Sequence, residues 1–170
     1  MFRIGDYVYY ASGGVCVVSD ICYAPLSGMP LDRQYYVLHP ANGGDSVMYV
    51  PVNSETVFLR ELMSREAAEA LLKQTDGIGM IEETNAKALR ERYVEAMRRH
   101  DPIEWVRVIK TVHCRIRRLA EQSGTRRISD TERSYAEDAK RYLYAELAIV
   151  LDRSFDEMKA SMREQIEQTV

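Results

Sequence analysis

Over roughly the first 59 residues, apolar and aromatic positions alternate with polar ones in short runs; from Arg60 onward the repeat lengthens to three and four. A two-residue period is that of a half-buried strand, and a three-to-four period is that of a helix with one face buried. The first part predicts strands over residues 7–10, 15–23, 35–39 and 46–50, with 57–59 completing the set. Ser12-Gly13-Gly14 and Asn42-Gly43-Gly44 supply turns where glycine adopts positive φ, and Pro25, Gly28 and Pro30 punctuate a loop. Four or five short strands with short connections predict a small SH3- or Tudor-like β-barrel.

The second part predicts helices. Ser64 is a candidate N-cap for a helix over 66–73, and Asp76-Gly77-Ile78-Gly79 breaks it and is the expected hinge. A second helix is expected over 82–99, with Ala86, Leu89, Tyr93 and Met97 as its apolar stripe. Asp101-Pro102-Ile103-Glu104 has an acidic N-cap, proline at the first position and an acid in the first turn, opening a helix to about Gln122 that Gly124 ends. Ser129-Asp130-Thr131-Glu132 and Ser154-Phe155-Asp156-Glu157 read as capping boxes for a fourth helix to about Leu151 and a short acidic last one. The fold class is therefore α+β: a barrel over residues 1–60, then a helical domain of about five helices over 61–170.

Charge changes this picture in one place. The chain carries a net charge of −3, yet residues 85–150 hold 15 basic and 10 acidic side chains, whereas every other stretch is net acidic. Only the helical middle is a candidate polyanion-facing surface. Cys16, Cys22 and Cys114 are odd in number and lack CxxC spacing, which argues against a disulfide framework and a zinc site. No apolar run approaches the roughly 20 residues of a membrane span, and Arg3 and Asp6 interrupt any signal-like start. A cytoplasmic, bacterial-type protein is expected.

Little in the chain has the form of catalytic machinery. His39, His100 and His113 stand in different elements, with no HxxxH or HExxH array, and there is neither a Walker loop nor a Rossmann glycine fingerprint. The expectation is a protein that is not an enzyme, with no cofactor, no metal and no small-molecule substrate.

In the helix opened by Asp101, Trp105, Ile109, Val112, Ile116 and Leu119 fall in one sector at about 100° per residue. Arg107, Lys110, Arg117 and Arg118 fall in the opposite one. A cationic face of this kind serves solubility or meets phosphates; Arg126-Arg127 and Arg133, beside the start of the next helix, favour phosphates. Trp105, the sole tryptophan, sits on the apolar stripe, which makes it a core anchor before it is a base-stacking wedge. The six tyrosines Tyr7, Tyr9, Tyr10, Tyr35, Tyr36 and Tyr49 suit either strand interiors or a partner surface, and both readings stay open.

FRIGDYVYYASGGVCVV, followed by YYVL and SVMYVPV, resembles the N-terminal module of the CarD/CdnL family, a module that also occurs in transcription-repair coupling factor. His100-Asp101, IEWVRVIKTV and ISDTERSYAEDAKRYLYAELAIVL extend the resemblance to about residues 1–151. The resemblance implies a Tudor-like domain that docks on the β subunit of bacterial RNA polymerase. It also implies a helical domain that contacts promoter DNA near the upstream edge of the −10 element and modulates open-complex stability. Docking of that family is similar to β-augmentation, which by position assigns Asp45, Ser46, Val47, Met48, Tyr49 and Val50 to the polymerase. The basic positions expected to face DNA are Arg90, Arg115, Arg118, Arg126, Arg127 and Arg133. Many members carry a wedge tryptophan early in the second helix; here that position is Ala86, after Asn85. An interaction module that binds polymerase without using DNA is the alternative this departure raises.

Overall fold

The structure is a computed structural model that describes residues 1–23, 26–122 and 127–169. Pro25, Gly124 and Arg126 lie outside the described residues. The chain divides into two compact units, Met1–Met63 and Ser64–Val170.

The first unit is one antiparallel sheet of five strands: β1 Tyr7–Tyr10, β2 Gly14–Tyr23, β3 Gln34–Pro40, β4 Met48–Pro51 and β5 Leu59–Glu61. The spatial order is β4-β3-β2-β1-β5. The SH3/Tudor-like expectation fits, with the correction that the sheet is open, with β4 and β5 at its two edges. β2 is long enough to pair with both neighbours, and the register shift between Val18 and Asp20 lets it bend as it passes from β1 to β3. The β1–β2 turn is tight. Gly14 has φ +73°, and a Cβ on Gly13 would stand 2.8 Å from the Met48 sulfur. Val8, Cys16, Val18, Tyr36, Leu38 and Val50 form the core. Burial raises the Cys16 thiol to about 11, so it is a packed thiol at neutral pH.

Two strand boundaries differ from expectation. β4 begins at Met48, so Asp45, Ser46 and Val47 precede it as exposed residues. The turn is longer than Asn42-Gly43-Gly44 alone, because Gly43 and Gly44 both hold positive φ, +84° and +122°. β5 is displaced to Leu59–Glu61 because the Val57 amide is used in a turn, donating to Ser54 Oγ at 3.2 Å. Of the six tyrosines, Tyr9, Tyr35 and Tyr36 are buried and Tyr7 is exposed; for those three the strand-interior reading holds.

The second unit is helical: α1 Arg65–Gln74, α2 Ala86–Arg98, α3 Pro102–Glu121, α4 Asp130–Leu151 and α5 Phe155–Thr169. α2 starts four residues later than the periodicity predicts. Asn85 takes the cap, its Oδ1 accepting from Lys87 N and Ala88 N at 3.0 Å each. Trp105 is fully buried on α3 with its ring 5.6 Å from that of Tyr142. Leu143 and Leu147 of α4 and Met158 and Met162 of α5 complete this core. Ile116 is a correction: it is 40% exposed despite its place on the apolar stripe. No helix among the described residues is long and apolar enough to cross a membrane.

Lys110, expected on the solvated cationic face, is 3% exposed. Its ammonium donates to the carbonyl oxygens of Thr75, Asp76 and Ile78 at 2.9, 3.1 and 2.8 Å. The expected hinge at Asp76-Gly77-Ile78-Gly79 is therefore tied to the middle of α3. A short 3-10 turn over Thr75–Gly77 carries two of these carbonyls, and Ile78, its extended C-cap, carries the third. Ile81 N donates to Thr111 Oγ1 at 2.9 Å and fastens the same connection one residue further along α3.

Candidate functional site

The edge formed by β4 has a definite hydrogen-bonding pattern. Val52 N donates to Gln34 O at 2.9 Å. The register continues as Tyr36 opposite Val50 and Leu38 opposite Met48. In an antiparallel ladder, bonded and non-bonded pairs alternate. Met48, Val50 and Val52 therefore turn their peptide groups toward β3, and Tyr49 and Pro51 turn theirs outward. Pro51 has no N–H, which is why a proline is tolerated at this edge position. Within β4 the free edge offers one donor, Tyr49 N, with the carbonyls of Tyr49 and Pro51. No charged side chain lies in Met48–Pro51, and Val47, 42% exposed, flanks it.

The opposite edge is poorer as a template. β5 has three residues, two of them charged, and Arg60 lies over the Tyr9 ring at 4.6 Å. Short charged edges resist pairing with another chain. Of the residues assigned by position, Met48, Tyr49 and Val50 lie on the strand. Val50 is buried in the sheet core.

In the helical unit the excess of basic residues is smaller than the count implies, because many arginines are already engaged. Arg92, Glu95, Arg99, Glu104 and Arg107 form a chain of ion pairs at 3.3, 2.7, 3.3 and 3.0 Å. Arg115 is engaged too. Its Nε donates to Glu132 Oε1 at 2.6 Å, and Tyr93 Oη donates to the same oxygen at 2.9 Å. Glu132 sits at the third position of the fourth-helix capping box, where its amide donates to Ser129 Oγ at 3.1 Å. Its carboxylate joins α2 and α3 to α4. The last helix shows the reciprocal form: Glu157 N donates to Ser154 Oγ at 3.2 Å, and Ser154 N donates to Glu157 Oε2 at 2.7 Å.

Replacing Glu132 by alanine should remove about 2 kcal/mol of stability, from a lost charged acceptor and a buried tyrosine hydroxyl left without one. The figure is kept low because the Arg115 side chain is 38% exposed and finds water. Urea midpoints of the full chain measure it, and Glu132→Gln should lose less.

Burial and the Glu132 bond also raise the Tyr93 pKa well above its ordinary 10.0. Above about pH 10 the unfolded chain releases this proton while the folded chain holds it. The stability linked to Tyr93 is therefore complete below pH 10 and lost as pH rises beyond it. Tyr93→Phe should flatten that alkaline slope, and urea titrations between pH 8 and 11 check it.

Among the described residues, Arg90, Arg118, Arg127 and Arg133 make no ion pair and are exposed. Arg118 and Arg133 line different clefts. Arg118 lies with Arg115 along a groove against Met80, Ile81 and Thr84. Arg133 lies in a different cleft between α3, α4 and α5. Arg90 lines a third cleft, along α2. Ala86, at the start of α2, is exposed and offers only a methyl group. Sequence reasoning missed the Glu132 hub. The signal was present as an acid at the third position of a capping box whose helix follows an arginine-rich one.

Residues 2–63 match the protein-family description "CarD-like/TRCF RID domain". No curated protein matches the chain.

Proposed function

We propose that the chain, whose residues 2–63 match the RNA polymerase-interacting CarD-like/TRCF RID domain, is a transcription regulator docking through β4 on the polymerase β subunit. The observation that carries this reading is the outward-facing Tyr49 peptide on an uncharged edge. A partner strand laid along β4 gains its bonded pair at Tyr49, and Pro51 prevents the pairing from running further as a regular ladder. That restriction fixes the register and protects the free protein from edge-to-edge association.

The helical unit then contacts promoter DNA near the upstream edge of the −10 element and modulates open-complex stability. Arg118, Arg127 and Arg133 are the side chains best placed to do so, since they are exposed and unpaired among the described residues. Arg90 contributes from α2, and Arg126 belongs to the same proposed set. Arg115 acts only through the part of its guanidinium not held by Glu132. With so few phosphate contacts, affinity for free DNA is weak and falls steeply with salt. Tethering to polymerase raises the local concentration enough for these contacts to count.

A photoreactive residue at Val47 tests the docking half in the full chain. A crosslink to the β subunit is expected, and a crosslink only to another subunit, or none, overturns it. The second reading, polymerase binding without DNA contact, is favoured by one observation, the methyl group of Ala86 where a wedge would stand. Footprinting separates the two. Altered reactivity at the upstream fork supports DNA contact, and an unchanged footprint with polymerase bound supports the second reading.

A further inference from the structure

The way Glu132 holds Arg115 bears on more than the joining of three helices. The carboxylate is fixed at one oxygen by two donors, and the backbone behind it is fixed as well. The Tyr93 hydroxyl and the Arg115 Nε both donate to Oε1, at 2.9 and 2.6 Å, and the Glu132 amide donates to Ser129 Oγ at 3.1 Å. Tyr93 is buried, and its ring stands 5.8 Å from that of Tyr135. Arg115 therefore meets a stationary acceptor.

Arginine suits this place because its planar fork can serve two acceptors at once. Nε is spent on Glu132, and the two Nη groups make no hydrogen bond among the described residues. The remaining donors of the guanidinium are on those two nitrogens. The Glu132 side chain is only 11% exposed, whereas that of Arg115 is 38% exposed and lines the groove beside Arg118. A long side chain ordinarily loses rotamer freedom when it meets a partner, and one already held has less to lose. The Glu132 charge acts in the opposite sense on an approaching anion. The Tyr93 hydroxyl takes up part of that charge by donating to the same oxygen.

We propose that Glu132 is a positioning residue for the DNA contact, an inference that rests on the DNA-facing reading above. It fixes Arg115 through Nε and leaves the Nη edge of the guanidinium to meet a DNA phosphate. Tyr93 steadies the carboxylate in turn. Glu132 itself touches no DNA.

Binding of the full chain to polymerase alone and to the polymerase–promoter complex, compared in one buffer, isolates the DNA contact. Glu132→Ala should weaken binding to the promoter complex about fivefold, within the range that fixing one long side chain is worth, and leave binding to polymerase alone unchanged. Glu132→Gln keeps an acceptor for Nε and should stay within about twofold of the parent. Arg115→Lys keeps a cation for Glu132, and so the fold, but its single ammonium has no second edge; it should lose about tenfold on the promoter complex. In an Arg115→Gln background, Glu132→Ala should add no further loss. The same fivefold loss in that background would mark a merely structural carboxylate and overturn the proposal. Promoter-complex binding by Glu132→Ala as tight as the parent's, or tighter, would overturn it too, since the carboxylate would then only neutralise Arg115. If Arg118→Gln weakens that binding and Glu132→Ala does not, the DNA reading stands and the positioning role alone fails. If the parent binds the promoter complex no more tightly than polymerase alone, both fail.

Discussion

Replacing Tyr49 by proline should weaken capture of RNA polymerase by at least about tenfold while leaving the sheet folded. Tyr49 supplies the only N–H that β4 turns outward, and a bonded pair on a sheet edge contributes on the order of the 1.4 kcal/mol that separates tenfold steps in affinity. The Tyr49 nitrogen makes no bond to β3, so proline removes nothing from the ladder, as Pro51 already shows two residues on. Tyr49→Ala keeps the N–H and should retain most of the binding. If alanine and proline weakened binding equally, the contact would be made by the ring and not by the backbone. Equilibrium binding to purified polymerase, with thermal midpoints of both variants as the folding control, reads the difference.

Lys110→Met should destabilise the helical unit by about 3 kcal/mol. Methionine matches the aliphatic stem and fills the same space, so the change isolates the ammonium. What is lost is three hydrogen bonds to carbonyls, the one to Thr75 buried and those to Asp76 and Ile78 part-buried, a buried group left without a partner being worth about 1–3 kcal/mol and the part-buried ones less. Burial lowers the Lys110 pKa, and Asp76 opposes that; the three acceptors are filled only by the protonated amine. The loss should appear as a thermal midpoint lower by roughly 10 °C. It should also appear as faster amide exchange in residues 75–81, since the connection ahead of α2 would lose its anchor on α3. A midpoint within about 2 °C of the parent would contradict this account of Lys110.

The strands, the capping residues and the change of period near residue 60 were readable because each is a local signal. Alternation places Val8, Cys16, Val18, Tyr36 and Leu38 in one core, and Ser64, Asp101, Ser129 and Ser154 open helices as their side-chain chemistry requires. The start of α2 was read too early because Glu82 and Glu83 extend the helical composition, whereas Asn85 is the residue whose side chain reaches the free amides. The fates of the basic residues were much less legible. Lys110 and Arg118 look alike on a helical wheel; one is buried against three carbonyls donated by a turn 32–35 residues away in sequence, and the other is exposed. Arg115 is in the expected sector, but its partner Glu132 comes from the next helix. Composition counts charges, whereas a surface for DNA depends on which of them are left uncompensated, and that is decided by non-local contacts.

The edge assignment illustrates the same boundary from the other side. The uncharged SVMYVPV segment pointed to a pairing strand, but only the register with β3 shows which peptide groups face outward. That narrows six candidate residues to one backbone donor at Tyr49, flanked by Val47 and Met48. For the proposed DNA-facing set, four exposed arginines make no ion pair among the described residues, which fits a few weak contacts made by a tethered protein.

The most direct test of the central claim is the lifetime of the open complex on one promoter after heparin challenge, measured with and without the full chain. The account predicts that the parent chain changes this lifetime, that Tyr49→Pro abolishes the change through loss of docking, and that the combined charge reversal of Arg118 and Arg133 abolishes it with polymerase still bound. A lifetime unaltered by the parent chain, or altered equally by all three proteins, would contradict it.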